Sequence, residues 1–240
     1  YKKLLKFVVP SIVMMIFTSI YSVVDGLFVS NYVGKTALAS INLIVPFLMG
    51  ISALGFMIGT GGSAIVAKTL GEGKSEKANE YFSFLVYFTI IVGVILSVIG
   101  AIFVPEVAKL LGASGKLLSN CVIYGRITFI SMPAFMLQNV FQSFFVAAKK
   151  PKLGLGVIIT AGVTNMILDL LFVGILKYGL VGAAVATVCG ELIGGIFPIL
   201  YFARKNSSLL KLGRTSFNAR LLSRTCLNGS SELMTIFRVQ

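Results

Sequence analysis

The chain has 240 residues, of which 57% are hydrophobic and only 12% charged, with a net charge of +13 and a mean hydropathy of +0.95. Soluble domains carry about 25% charged residues, and half that fraction in a chain of this length leaves too few polar groups to cover a water-facing surface. With no histidine, zinc chemistry and imidazole-based catalysis are excluded, and Cys121, Cys189 and Cys226 are odd in number and widely spaced, which argues against a disulfide framework or a metal site.

Apolar stretches of about 20 residues, the length that spans a bilayer, occur at 7–29, 40–66, 81–104, 118–147, 155–176 and 180–203. The expected fold is therefore an all-α integral membrane protein with a bundle of six transmembrane helices. No segments of about 10 residues with alternating polarity suggest a barrel. The first span exceeds the apolar region of a signal peptide and lacks a small-residue cleavage site. It holds Asp25 in "TSIYSVVDGLFVSNYVG" (18–34), with Tyr21 one turn away on the same face and Pro10 as a candidate hinge. "NYVGKTAL" (31–38) links it to the second span, where "GTGGSA" (59–64) reads as close helix packing, since neither a preceding strand nor a P-loop lysine accompanies it.

"KTLGEGKSEKANE" (68–80) reads as a Gly-punctuated loop and a charged helical start, and "PEVAKLLGASGK" (105–116) joins the third and fourth spans. The fourth span contains Pro133, expected to kink it and free a backbone carbonyl, and Asn139 and Gln142, which either line a cavity or bond across helices. Arg126 there and Glu191 in the sixth span lack sequence-local partners and read as near-interface anchors. Asn165 and Asp169 in the fifth span are four apart on one face, as are Thr187 and Glu191 in the sixth, across the tight turn "KYG" (177–179).

Beyond residue 203, the basic segment 204–224 reads as a linker lying along the membrane surface. A seventh helix starts over 225–240 and is cut short. The expected domains are thus a six-helix lobe at 1–203, the linker at 204–224 and the truncated helix at 225–240. Six spans and a linker are the outline of one half of a repeated transporter bundle. The start at Tyr1 and the abrupt end at Gln240 both suggest a piece of something longer. Basic residues crowd the segments that share the N-terminal side, including Lys2, Lys3, Lys6, Lys68, Lys74, Lys77, Lys149, Lys150, Lys152, Arg204 and Lys205. Only Lys35, Lys109, Lys116 and Lys177 fall on the other side. That positive-inside pattern predicts a cytoplasmic N-terminus in the cell membrane and argues against nucleic acid as the partner.

Counting nine residues from the outer turns puts Asp25, Asp169 and Thr187 about 13 Å deep at 1.5 Å per residue, with Asn165 close by. Two carboxylates at one depth in a medium of low dielectric repel unless they share a proton or a bridging sodium ion. The spacing thus points to an ion-coupling site at Asp25, Asn165, Asp169 and Thr187. The bland alternative is that each polar group only bonds a neighbouring helix.

At these residues the chain resembles the multidrug and toxic compound extrusion (MATE) family, in its bacterial subgroup of multidrug and DNA-damage-inducible exporters. The carriers are "YSVVDGLFVSNYVG", "GTGGSAIVAKTLGEGKSEKANEYF", "TNMILDLLFV", "GLVGAAVAT" and "NGSSEL". The resemblance implies one lobe of a two-lobe, twelve-helix antiporter that exports drug-like, often cationic molecules. Influx of H+ or Na+ would drive export, with no cofactor besides that ion. By position it implies that Asp25, Asn165, Asp169 and Thr187 form a cation site with Tyr21 and Asn139 as polar neighbours. It also implies that Pro10 bends the first helix and that Glu232 is an acidic residue of a second cation site. Val146 and Lys149 in "VAAKKP" depart from the family pattern of an arginine and a glycine before proline. A missing second lobe, or a second half, is the expected partner. A lipid-linked precursor flippase and a non-transporting truncated remnant are the competing readings, and an enzyme is the least expected because no nucleophile–base pair is apparent.

Overall fold

The computed structural model describes the backbone from Lys2 to Val239 and the side chains from Val9 to Ser230, save Pro10, Ser11, Met15 and Ser22. The expected hinge at Pro10 and the acidic Glu232 therefore lie outside the described side chains. Eight α-helices and no strand occur among the described residues: α1 Lys2–Phe28, α2 Lys35–Gly71, α3 Ser75–Leu110, α4 Gly115–Ile130, α5 Met132–Ala147, α6 Pro151–Asp169, α7 Gly179–Ala203 and α8 Ala219–Val239. The chain is a multi-pass, all-α membrane protein, with α4 and α5 together making the fourth of its six spans.

Helices replace most of what reads as loop. At 37 and 36 residues, α2 and α3 reach roughly 55 Å at 1.5 Å per residue, well beyond an apolar layer of about 30 Å. The polar segment 68–80 is helical except for Glu72–Lys74, where Gly73 takes a φ of 77° that only glycine adopts freely. Likewise α8 begins at Ala219, six residues before the expected 225, so only 204–218 is irregular.

Two helices end in wider π-helical turns, Val29–Val33 after α1 and Leu170–Ile175 after α6. The Gly34 amide closes the first by donating to the Val29 carbonyl at 3.1 Å, five residues back. Such turns add a residue per loop of helix, re-aim the chain beyond them, and recur at functional sites.

The fourth span is two helices bent by 59° at Ser131. Pro133 is the cause, although it opens α5 rather than kinking a continuous helix. It has no amide to offer the Phe129 carbonyl four residues back. That carbonyl is instead taken by the Ser97 hydroxyl of α3 at 2.5 Å, which is how broken helices survive in lipid.

Exposed apolar stripes run along α1 (Ile12, Ile16, Ile20, Val23, Leu27) and α3 (Ile91, Ile95, Val98, Ile102), spaced by three or four. The opposite faces pack closely. A side chain at Gly59 would strike the backbone of α5 at Val140, and one at Gly61 would strike α8 at Thr225. The small residues of "GTGGSA" thus serve helix packing, as expected. Near the basic end, Phe82, Phe141, Phe144, Phe145 and Phe202 form an edge-to-face and stacked cluster with ring centroids 4.9–6.3 Å apart.

The segment 204–218 crosses that end as a strap pinned to α3. Its Lys211 and Gly213 amides donate to Asn79 Oδ1 and Ser83 Oγ at 2.9 Å, and its Leu210 is fully buried. Thr215 and Ser216 hydroxyls donate to the carbonyl and carboxylate of Glu80 at 3.0 and 2.9 Å. Each such bond contributes about 1 kcal/mol net. Replacing Asn79 and Ser83 together by Ala should therefore speed hydrogen exchange of the Lys211 and Gly213 amides about tenfold, with the interior of α3 unchanged. Unaltered exchange at both amides would show that the strap is held by something else.

Candidate functional site

Between α1, α2, α4, α5, α6 and α7 lies a cavity of 240 Å³, nearer the end opposite the strap. α1 reaches it by packing Phe17 and Tyr21 against Gly162 of α6, where a Cβ would meet the Phe17 ring at 2.7 Å. On the other side of α6, Gly190 lets α7 approach Ala161 and Asn165. These two close contacts bring the polar faces of three helices together.

Asp25, Asn165 and Thr187 line the cavity with Tyr21, as their matched depths predict. Asp169, fully buried, stands behind them in the wall, within hydrogen-bonding reach of the Asp25 carboxyl. The four-residue spacing aims Asn165 and Asp169 the same way, and α1 supplies Asp25 from across the gap. Four acceptor oxygens result: Asp25 Oδ1, Asn165 Oδ1 and both Asp169 carboxyl oxygens are buried and receive no hydrogen bond among the described residues. Buried polar atoms are ordinarily paired, and each orphaned one costs on the order of 1–3 kcal/mol, more when charged. Unpaired oxygens on two neighbouring carboxyl groups repel, and a proton or a cation between them relieves that repulsion. Thr187 keeps its own hydroxyl bonded to the Ala183 carbonyl at 3.0 Å.

Two expected cavity neighbours are corrected, and one of them bonds across helices instead, the other alternative that the sequence left open. Asn139 and Gln142 do not line the cavity. Asn139 is buried against α2, its Nδ2 donating to the Ser52 carbonyl at 3.5 Å. The residue beside it, Gln138, takes the cavity position instead, because one residue turns a helix by about 100°. Gln142 shares the face of Gln138 but lies about 6 Å further along the helix, past the cavity.

Glu191 is also misread as an interface anchor, since it lines the cavity and accepts a hydrogen bond of 2.5 Å from Ser131 at the break of the fourth span. Its signal was present in the sequence: it lies four residues after Thr187 and so shares the Thr187 face. Arg126, by contrast, is exposed and donates to the Ala101 carbonyl at 3.3 Å. Tyr124, Thr128, Asn42 and Pro46 complete the polar rim and carry no pattern that marks them in the sequence. Pro46 has no amide to offer the Asn42 carbonyl four residues back.

The MatE family model matches residues 10–171. The multidrug export protein MepA of Staphylococcus haemolyticus is 30% identical over 221 residues, 92% of this chain and 47% of its own length. MepA of Staphylococcus aureus is 26% identical over 213 residues, 88% of this chain and 47% of its own. The chain thus spans about half the length of the curated relatives it matches. Among solved structures, a multidrug resistance MATE transporter of the MOP superfamily in an outward-facing conformation superposes with a TM-score of 0.90 at 22% identity. A MOP superfamily transporter from Pyrococcus furiosus, described by its reversed pocket polarity, does so with the same TM-score and identity. Each alignment covers 97% of this chain and 52% of the other, and at that identity the likeness is one of fold.

Replacing Ser131 by Ala should leave the Glu191 carboxyl without its donor and destabilise the folded protein by about 1–3 kcal/mol. Thermal inactivation in detergent should show the loss and Ser131→Thr should restore it; equal midpoints for wild type and Ser131→Ala would mean that the hydroxyl is dispensable.

Proposed function

The chain belongs to the MatE family of multidrug and toxic compound extrusion proteins, and from that premise we propose that it is the N-terminal lobe of an antiporter. The antiporter exports amphipathic, cationic drug-like molecules in exchange for H+ or Na+. The observation that supports this best is the all-acceptor cluster of Asp25, Asn165 and Asp169, which needs one small positive charge to be satisfied. A proton bridges the two carboxyl groups, or a sodium ion draws in the Asn165 carbonyl and the Thr187 oxygen as well.

Coupling arises from the same electrostatics. Filling the cluster removes the repulsion between α1 and α6, so the neutral and charged states favour different packings of α1 and bind substrate with different affinity. The cavity suits an organic cation: its wall carries Asp25 and Glu191, the rings of Tyr21, Tyr124 and Phe135, and the thioethers of Met49 and Met132, with no Lys or Arg among the described lining residues. The names of the MepA relatives, multidrug export proteins, agree with that class of substrate. In this reading the second lobe is supplied by further chain or another half, and alternating access is the movement of one lobe against the other. The basic end, with Lys74, Lys149, Lys150 and Arg204, faces the cytoplasm of the plasma membrane.

In the protein carrying both lobes, Asp25→Asn and Asp169→Asn should each abolish ion-driven uptake of a fluorescent organic cation by proteoliposomes, with membrane insertion intact. Full transport by both variants would remove the cluster from the mechanism. Glu191→Gln should weaken export of cations about tenfold, as expected for one desolvated charge contact, while sparing a neutral substrate. An equal loss for both substrates would assign Glu191 to structure rather than to selectivity.

A further inference from the structure

At the basic end, a second cleft of 480 Å³ opens where the last turn of α2 and the start of α3 meet α8. Its wall carries Lys68, Lys74, Lys77 and Arg224, with Glu72 the one acid. Lys74 is engaged by Glu72 at 2.8 Å, the one ion pair among the described residues. The hydrogen bond from Lys74, with Lys68 and Lys77 further off, holds the Glu72 carboxyl below the usual carboxylate range. Lys68, Lys77 and Arg224 form no ion pair among the described residues, although they come from three helices and face one concave space.

Like charges gathered in a recess repel, and that repulsion is relieved by an anion with several acceptor oxygens. The level of the cleft says where such an anion comes from. Val66 is the last buried apolar residue of α2 and the apolar run of α3 opens at Tyr81, so the cations stand where the oily layer gives way to headgroups. Tyr81 lines the cleft beneath Lys77, whose ammonium lies 5.7 Å from the ring centroid, and Ile65 adds apolar surface below. Cations above and apolar groups below match a diacyl lipid standing upright in the leaflet. Soluble phosphate would engage only the upper half.

We infer that this cleft is a binding site for the phosphate headgroup of an anionic phospholipid. Because Arg224 belongs to α8 and the lysines to α2 and α3, the bound lipid bridges the helix after the strap to the six-span bundle. The inference stands apart from the transport reading, since it uses none of the cavity residues and its test measures no transport.

Native mass spectrometry of the protein released from nanodiscs of phosphatidylcholine and phosphatidylglycerol should show selective retention of phosphatidylglycerol. Combining Lys68→Gln, Lys77→Gln and Arg224→Gln should lower that retention by about tenfold to a hundredfold, since each cation near an anionic surface contributes about a factor of five. A charge-matched variant elsewhere at the same end, Lys149→Gln with Lys152→Gln and Lys205→Gln, should retain the lipid as wild type does. Equal losses in the two variants would reduce the effect to bulk charge and overturn the site. Stabilisation of the detergent-purified protein by inorganic phosphate, without selective lipid retention, would overturn the lipid as occupant.

Discussion

Two carboxyl groups held face to face in a low-dielectric interior, with no donor between them, constrain everything around them. Asp25 and Asp169 arrive on helices far apart in sequence, and the Asn165 carbonyl adds another acceptor rather than relieving the shortage. Such an arrangement is expensive to fold around, and ionisable groups placed this way within a membrane span are a functional-site signal. The scaffold is organised to hold it: Gly162 admits α1 against α6, Gly190 admits α7, and both aspartates come just before a π-helical turn. The two π-turns touch one another, so the C-terminal ends of α1 and α6 are joined beside the site.

The break in the fourth span serves the same cavity from the other side. Pro133 removes one amide, Ser97 takes the freed Phe129 carbonyl, and the chain turns by 59° at Ser131. That turn points the Ser131 hydroxyl at Glu191, so a backbone defect supplies the donor for a half-buried, cavity-lining carboxylate. The cavity therefore holds acids in two kinds of setting. Glu191 has a neutral donor of its own, whereas Asp25 and Asp169 have only each other. In the transport reading this difference separates the group that meets substrate from the pair that meets the ion.

Charge of the opposite sign is concentrated at one end. The strap 204–218 crosses it through hydrogen bonds to α3, one of them to the Glu80 carboxylate, and forms no ion pair among the described residues, which leaves its own basic residues available to anionic surroundings. Neutral bonds to Asn79 and Ser83 hold their geometry regardless of salt, whereas surface ion pairs are screened. Asp25, Asp169 and Glu191 thus lie within the bundle, while most of the basic residues gather at one rim along with Glu72 and Glu80.

The sequence alone determined the class and much of the site. Long apolar runs have one stable solution in lipid, so six spans could be counted, and a helix rises by a constant step, so Asp25, Asn165, Asp169 and Thr187 could be set at one depth. Which way a residue faces around its helix was harder to read. Gln138 lines the cavity and Asn139 does not, because that choice depends on how α5 is rotated after the break at Ser131. The role of Glu191 waited on the same event, since its partner lies sixty residues away on a helix end that exists only once the span has broken. Where the strap ended and α8 began was likewise decided by tertiary contacts, through the buried Leu210 and the bonds to α3. Depth comes from local geometry that every helix shares, whereas azimuth is set by packing between helices, and only the folded bundle contains that information.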